Sequence, residues 1–260
     1  MKKRKQLFVF LVLVSCIPVY SAGVKTKTAP VLQTMQSQTG KSENQKNKTA
    51  QIKVRRFDST SPEGWDASFQ VISSEKGNIL IDPGKYDDEL AAYIQSIGGI
   101  DVILITHGHW DKLRGLDSAL AANPDAAVYI HELDRPNLTD PVLNCSIEHK
   151  ISGIVKTQAR TFTEGNYKFG EYSVEIIHTP GHTRGSSLFY FKDENMLIGG
   201  DTIMAELVGS SKHPGGNEED RQNSIQKFKQ RVFPKSMKIY SGHGEEIVYA
   251  DLMKTNKDLK

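Results

Sequence analysis

Apolar and polar positions along the 260-residue chain fall into three regimes. Residues 6–14 (QLFVFLVLV) form one short apolar run behind the basic start MKKRK. Residues 17–50 are dominated by Lys, Thr, Ser, Gln and Asn, with almost no aromatics. From residue 51 onward, short strand-like runs alternate with amphipathic ones. IKVRRF, SFQVISS, NILIDPG, YSVEIIHTPG, SSLFYFKD, NMLIGGD and KIYSGHG read as strands. IDVILIT (Ile100 to Thr106) and AAVYI are continuous apolar runs, the mark of strands buried on both faces. YDDELAAYIQSIG places Leu90, Ile94 and Ile97 on one helical face. DKLRGLDSALAAN reads as a second helix stopped by Asn123-Pro124, EEDRQNSIQKFKQRVF as a third, and a short helix ends the chain. Residues 137–153 read as an irregular loop. Strand blocks interleaved with helices in two similar halves predict an α/β fold, with sheet packed on sheet and helices outside.

Charge divides along the same lines. Residues 1–50 hold nine Lys or Arg against the single acid Glu43, a net +8, so residues 51–260 sum to −6 within the chain's total of +2. A mildly acidic body gives no support to a nucleic-acid partner. The basic start and the short apolar run read as an export signal over residues 1–16, too short to span a bilayer. Two processing sites compete. Leu13-Val14-Ser15-Cys16 resembles a bacterial lipoprotein signal in which Cys16 is lipidated; Val19-Tyr20-Ser21 offers an ordinary signal-peptidase site. Both predict an exported protein, and the first a membrane-anchored lipoprotein whose membrane contact runs only through Cys16. Residues 17–50 cannot bury enough apolar surface to fold alone and read as a flexible polar tether. Residues 51–260 form the folded domain. With Cys16 spent on lipid, Cys145 is the only other cysteine, so no intramolecular disulfide is available, and it reads as a buried filler rather than a nucleophile.

Candidate chemistry gathers where strands end in glycine-containing turns. ILITHGHWD ends one strand with His107, His109 and Asp111; IIHTPGHTRGSS ends another with His182; LIGGDT carries Asp201, and IYSGHG carries His243. Imidazoles and carboxylates at the C-terminal ends of several strands are how a site is built on a rigid sheet. This donor mixture suits zinc and other borderline divalent ions, and a carboxylate such as Asp201 is able to lie between two of them. His178 reads as support for the turn before His182, and His131 as a surface or helix-cap residue, with a place behind the ligands as the alternative. His149 and His213 fall in loops, with His213 also a candidate for the substrate entrance. Trp110 either shapes the pocket or packs on a helix, and Arg184 and Asn144 are weak candidates for substrate contact.

The segments IDPG, THGHWD, TPGHTRGSS, GGDT and SGHG, in that order, resemble the metallo-β-lactamase superfamily over nearly all of residues 52–250. VYIHELDRPNLTDPVLNCS and SSKHPGGNEED look like its short glyoxalase II-like hydrolases. The resemblance implies a four-layer αββα sandwich with metals at one edge of the two sheets. By position, it implies that His107, His109 and His182 hold a first metal, Asp111 and His243 a second, and that Asp201 bridges them. Zn2+ is expected, as one or two ions, with Fe or Mn as alternatives. Only 17 residues follow His243, so the glutathione-holding helical region of full-length glyoxalase II enzymes is not expected.

The family pattern HxHxDH departs here at its last position, Lys112. A lysine ammonium has no lone pair to donate. Three outcomes stand open: a weaker second metal on Asp111, His243 and Asp201; the ammonium standing in for the second cation; or a lysine turned to solvent beside a relic site. The expected function is an exported hydrolase of a small-molecule substrate, using a metal-bound hydroxide on an ester, thioester or lactam-type carbonyl. Asp111 is expected to orient the nucleophile and Lys112 to stabilise developing charge, the two catalytic candidates. The alternative is a non-catalytic surface lipoprotein on a degenerate metallo-β-lactamase fold, and Lys112 is the feature in its favour.

Overall fold

The computed structural model describes residues 52–60 and 66–260. The expected signal with Cys16 and the tether over 17–50 lie outside them.

Strands β1 (Lys53–Ser59), β2 (Ala67–Ser74) and β3 (Gly77–Ile81) form an antiparallel meander. Parallel strands β4 (Val102–Leu104), β5 (Ala127–His131) and β6 (Arg160–Phe162) extend it to a six-stranded sheet. The second sheet runs antiparallel through β7 (Gly165–Phe169), β8 (Tyr172–His178), β9 (Ser187–Phe191) and β10 (Met196–Gly200). It then takes β11 (Lys238–Ser241) parallel to β10, and β12 (Ile247–Val248) closes the edge.

The pleat decides how the layers pack, because successive side chains point to opposite faces. Ile79 and Ile81 join Val102, Leu104, Ile176, Phe189, Phe191 and Ile198 between the two sheets. Leu80 and Ile103 point the other way, toward Leu90 and Ile94 of α1 (Asp88–Ser96), and Leu116 and Ala119 of α3 (Leu116–Ala122). Leu197 and Ile239 point outward from the second sheet to Ile225 and Phe228 of α4 (Glu218–Lys229) and Leu252 of α5 (Tyr249–Thr255). Three apolar layers between four layers of structure are the expected αββα sandwich.

Two helix boundaries differ from the sequence reading. The helix expected over 111–123 breaks into α2 (Trp110–Leu113) and α3. Gly115 N donates to Pro83 O, and a Cβ on Gly115 would lie 2.5 Å from the Lys85 carbonyl carbon, so the chain turns against the loop after β3. The helix expected to reach Phe233 stops at Lys229; Phe233 folds back onto Tyr190 and Phe228, with ring centroids 5.1 and 5.4 Å away. Strands β6 and β7 were not anticipated. β6 buries only Phe162 and β7 alternates exposed with less exposed positions, so neither shows the continuous apolar run of a central strand.

Candidate metal centre

The segments singled out by the histidines and aspartates meet at one edge of the two sheets. His107 and His109 follow β4, and α2 then carries Asp111 and Lys112. His182 follows β8, Asp201 follows β10, and His243 follows β11. A Cβ on Gly242 would lie 2.0 Å from Asp201 Oδ1, so only glycine lets the β11 turn approach this closely.

His107, His109 and His182 are buried, and their ligand atoms lie within 4.8 Å of one another. Their rings meet edge to face, with centroids 4.5–4.9 Å apart. Each leaves Nε2 buried without a hydrogen-bond partner. Three converging unsatisfied nitrogens carry a desolvation cost that a bound cation would remove.

The outer hydrogen bonds fix which nitrogen keeps its lone pair. Asp82 accepts from Thr106 N at 2.7 Å and from Thr106 Oγ1 at 2.6 Å. With that hydroxyl proton committed, the 3.1 Å contact between Thr106 Oγ1 and His107 Nδ1 has the ring nitrogen donating, which leaves Nε2 bare. His182 Nδ1 donates to Ser210 O at 2.7 Å with the same result. Burial and the surrounding imidazoles hold His107 and His109 well below the ordinary imidazole pKa, as ligands require.

Lys112 is completely buried. Its Nζ donates to Asp111 Oδ2 at 2.6 Å and to Gly242 O at 3.2 Å. It lies 2.9 Å from Asp201 Oδ1 as an ion pair, and 3.2 Å from His243 Nε2. Burial alone would favour the neutral amine, but Asp111, Asp201 and Asp82 outweigh it and raise the lysine above its usual value. Asp201 is in turn held well below the carboxylate range, because Lys112, His107 and His243 overcome its burial. Asp111, Asp201 and His243 would otherwise form a second group with ligand atoms within 4.8 Å of one another. The ammonium already stands among them, and the lysine does not turn to solvent. It is not among the side chains lining the cavity; its ammonium nitrogen faces Asp111 and Asp201.

Asp201 connects the two halves. Its Oδ2 lies 3.5 Å from Nε2 of both His107 and His182 and 3.1 Å from that of His243, while Oδ1 faces Lys112. A cavity of about 170 Å3 opens over this cluster, walled by His109, Asp111, His182, Asp201 and His243. Cys145, Glu148 and His213 also line it, with Asp66 and His149.

Several side chains take roles the sequence left open. Asn144 is fully buried and donates to Asn137 O and Gly153 O, so it holds a loop and does not line the cavity. Trp110 packs on the helical side of the first sheet rather than lining the cavity. Arg184 is exposed, and its carbonyl oxygen meets His178 Nε2 at 2.8 Å, which supports the turn as expected. His131 caps the 3-10 turn Glu132–Leu138, its side chain accepting from Leu133 N, and stacks on His178 at 4.2 Å. Cys145 is buried and its thiol is pushed up to about 12 by burial and nearby carboxylates, which favours the protonated thiol.

Asp134 was missed. Its carboxylate accepts from Gly108 N at 2.8 Å, Gly185 N at 2.6 Å and Thr183 Oγ1 at 2.6 Å, tying the His107–His109 loop to the His182 loop. The one available signal was an acidic residue in the first turn after a strand-ending histidine.

Comparison with known proteins agrees with this geometry. A family model described as the metallo-beta-lactamase superfamily matches residues 66–243. The probable metallo-hydrolase YqgX of Bacillus subtilis is 31% identical over 183 residues, covering 69% of this chain and 86% of the relative. The probable metallo-hydrolase MJ0888 of Methanocaldococcus jannaschii is 32% identical over 203 residues, 70% of this chain and 89% of the relative. Among solved structures, the BLEG-1 B3 metallo-beta-lactamase superposes with a TM-score of 0.71 at 24% identity, over 80% of this chain and all (100%) of that one. TTHA1623 in a di-iron-bound form superposes at 0.66 with 26% identity, over 77% of this chain and 98% of that one. Sandwich, strand-end histidines and matched relatives converge: the chain belongs to the metallo-beta-lactamase superfamily.

Proposed function

We propose that the chain is an exported hydrolase with a single ion in the three-histidine site, acting on an ester, thioester or lactam-type carbonyl of a small molecule. The superfamily supports metal-dependent hydrolysis. The observation that carries the finer reading is the convergence of three buried, unpartnered Nε2 atoms beside an ammonium that fills the neighbouring cation position.

His107, His109 and His182 would hold the ion, zinc by the chemistry of the donor set, with iron or manganese as alternatives. Such an ion, when bound with an open position, lowers the pKa of a coordinated water and polarises a carbonyl. The remaining steps belong to the chain. Asp111 lies on the cavity wall, where its carboxylate accepts a proton from water and orients it toward the carbonyl. Asp201 Oδ2 sets a negative charge beside two of the three histidines, which favours cation binding there. Lys112 acts through these two carboxylates: it orients both and cancels one of their charges. His243, half-exposed at the cavity, pairs with Asp201 and is positioned to meet the substrate's polar end. Within this scheme the short glyoxalase II-like hydrolases are the favoured subtype. Export and the Cys16 lipid anchor rest on the sequence of residues 1–16.

The test is hydrolysis by the metal-loaded full chain across an ester, thioester, lactone and β-lactam panel, beside a His109→Ala variant. The expected result is turnover of at least one class by the wild type, with on the order of a hundredfold loss or more in the variant. No turnover of any class by a wild type shown to carry the ion would replace this reading with the non-catalytic one. Mass analysis of the mature N-terminus tests the anchor, with a diacylglyceryl adduct on Cys16 expected.

A further inference from the structure

We propose a second metal site on the cavity wall, built from Cys145, Glu148 and His213 and suited to a zinc-like divalent ion. A thiol sulfur, a carboxylate oxygen and an imidazole nitrogen there lie within 4.8 Å of one another. The three come from two separate parts of the chain. Cys145 and Glu148 flank and occupy the 3-10 turn Ser146–His149, and His213 comes from the loop between β10 and α4.

Local structure brings them together. Cys145 has a left-handed backbone with φ of 64°, a conformation that costs a non-glycine residue and persists only where surroundings enforce it. Asn144, fully buried, does the enforcing: it donates to Asn137 O and Gly153 O and accepts from Ser146 N. The turn that follows places Glu148 three residues on, over the same cavity. His213 lies edge-on to His109 and His182, with ring centroids 5.4 and 5.7 Å away. The two donor groups therefore share one cavity wall.

The chemistry of the set is specific. Sulfur, nitrogen and oxygen donors together suit zinc better than magnesium or calcium, which take oxygen ligands. Three protein ligands would hold the ion, one fewer than the four that a closed zinc site takes. On binding, the Cys145 thiol releases its proton to solvent, and thiolate plus carboxylate balance the two charges of the ion. Lys112 closes the corner where a second cation would neighbour Asp111, Asp201 and His243; the Cys145 group offers a second ion a different corner of the same cavity. The proposal stands on this donor geometry and does not require that the chain be a hydrolase.

Cobalt substitution of the full chain tests it, because a thiolate ligand gives cobalt(II) an intense near-ultraviolet charge-transfer band that histidine and carboxylate do not. Wild type is expected to bind two ions and to show the band. Cys145→Ser should lose the band and one ion; Cys16→Ser, removing the only other cysteine, should keep both. His213→Ala and Glu148→Gln, at exposed positions that folding tolerates, should weaken the band. His107→Asn should lose one ion and keep the band, which separates this site from the three-histidine site. The zinc-loaded chain should show a sulfur scatterer at about 2.3 Å by X-ray absorption. A cobalt-loaded wild type without the band, or a band indifferent to Cys145→Ser, overturns the proposal. Loss of metal from His107→Asn and Cys145→Ser alike, with both folded, would overturn it too.

Discussion

Lys112 Nζ donates to Asp111 Oδ2 at 2.6 Å, and neither side chain is more than 8% exposed. The same nitrogen pairs with Asp201, so one buried ammonium serves two buried carboxylates. In a low-dielectric interior such charges persist only because each compensates the others. Asp201 is thereby shared between a fixed cation on one side and the three-histidine cluster on the other.

Removing the ammonium leaves two adjacent carboxylates without a counter-charge. Lys112→Met, close in volume, is expected to destabilise the metal-free protein by about 3–5 kcal/mol, the usual consequence of breaking a buried pair from one side. Urea unfolding at neutral pH measures it. A loss below ~1 kcal/mol would mean that Asp111 and Asp201 reach water or share a proton instead.

Replacing the ammonium by a lone pair has a different consequence. Lys112→His gives Asp111, Asp201 and His243 a fourth possible donor where a cation stood. The variant is expected to carry one more ion per chain than the wild type, read by elemental analysis after equilibration with zinc. An unchanged count would show that the corner excludes metal for reasons other than Lys112.

Asp134 acts at a distance from any ligand atom, through the backbone of two loops. Asp134→Ala strands Gly108 N, Gly185 N and Thr183 Oγ1. Buried donors left unsatisfied cost about 1–3 kcal/mol each, so a loss of several kcal/mol is expected. Because those loops aim His107, His109 and His182, metal affinity should fall roughly 10–100-fold, as when outer-sphere partners are removed elsewhere. Chelator competition reads the affinity, and Asp134→Asn, which keeps the shape and one acceptor, should lie between wild type and Asp134→Ala. Equal affinity in all three would confine Asp134 to folding.

The framework and the ligand candidates were readable in the sequence for the same reason. Central strands such as β4 are buried on both faces, so their composition is unambiguous, and the histidines stand directly after them. The fate of Lys112 was not readable. Whether a lysine folds inward depends on Asp201 and Gly242, which are 89 and 130 positions away and meet it only in the folded sheet. Asp134 carried only the faint mark of an acidic residue in the turn after a strand-ending histidine, because its three partners are two backbone amides and a hydroxyl from two distant loops. Edge strands β6 and β7 were missed because pairing, rather than apolar content, makes them strands. Gly115 was in plain view within DKLRGLDSALAAN, yet only the close approach of the loop after β3 turns it into a helix break.

The stacked pair of His131 and His178 gives the fold a pH dependence of definite sign. Burial, with the neighbouring His178 adding to it and Glu164 opposing, lowers His131 to about 4. The cap agrees, since Nδ1 must stay unprotonated to accept from Leu133 N at 3.2 Å. In the unfolded chain the same ring titrates near 6.5. The folded pKa is the depressed one, so below about 6.5 the unfolded chain takes up the proton first. This contribution is full above pH 6.5 and is lost progressively as pH falls toward 4. A shift of this size corresponds to at most about 3 kcal/mol. His131→Phe keeps a ring against His178 and Phe162 but removes the titrating nitrogen and the cap. At pH 7.5 the variant should be less stable by about 0.5–1.5 kcal/mol for the lost hydrogen bond. Between pH 7.5 and 4.5 it should lose less stability than the wild type, so the two urea-unfolding curves converge or cross. Parallel pH profiles would show that His131 is protonated as readily in the fold as outside it.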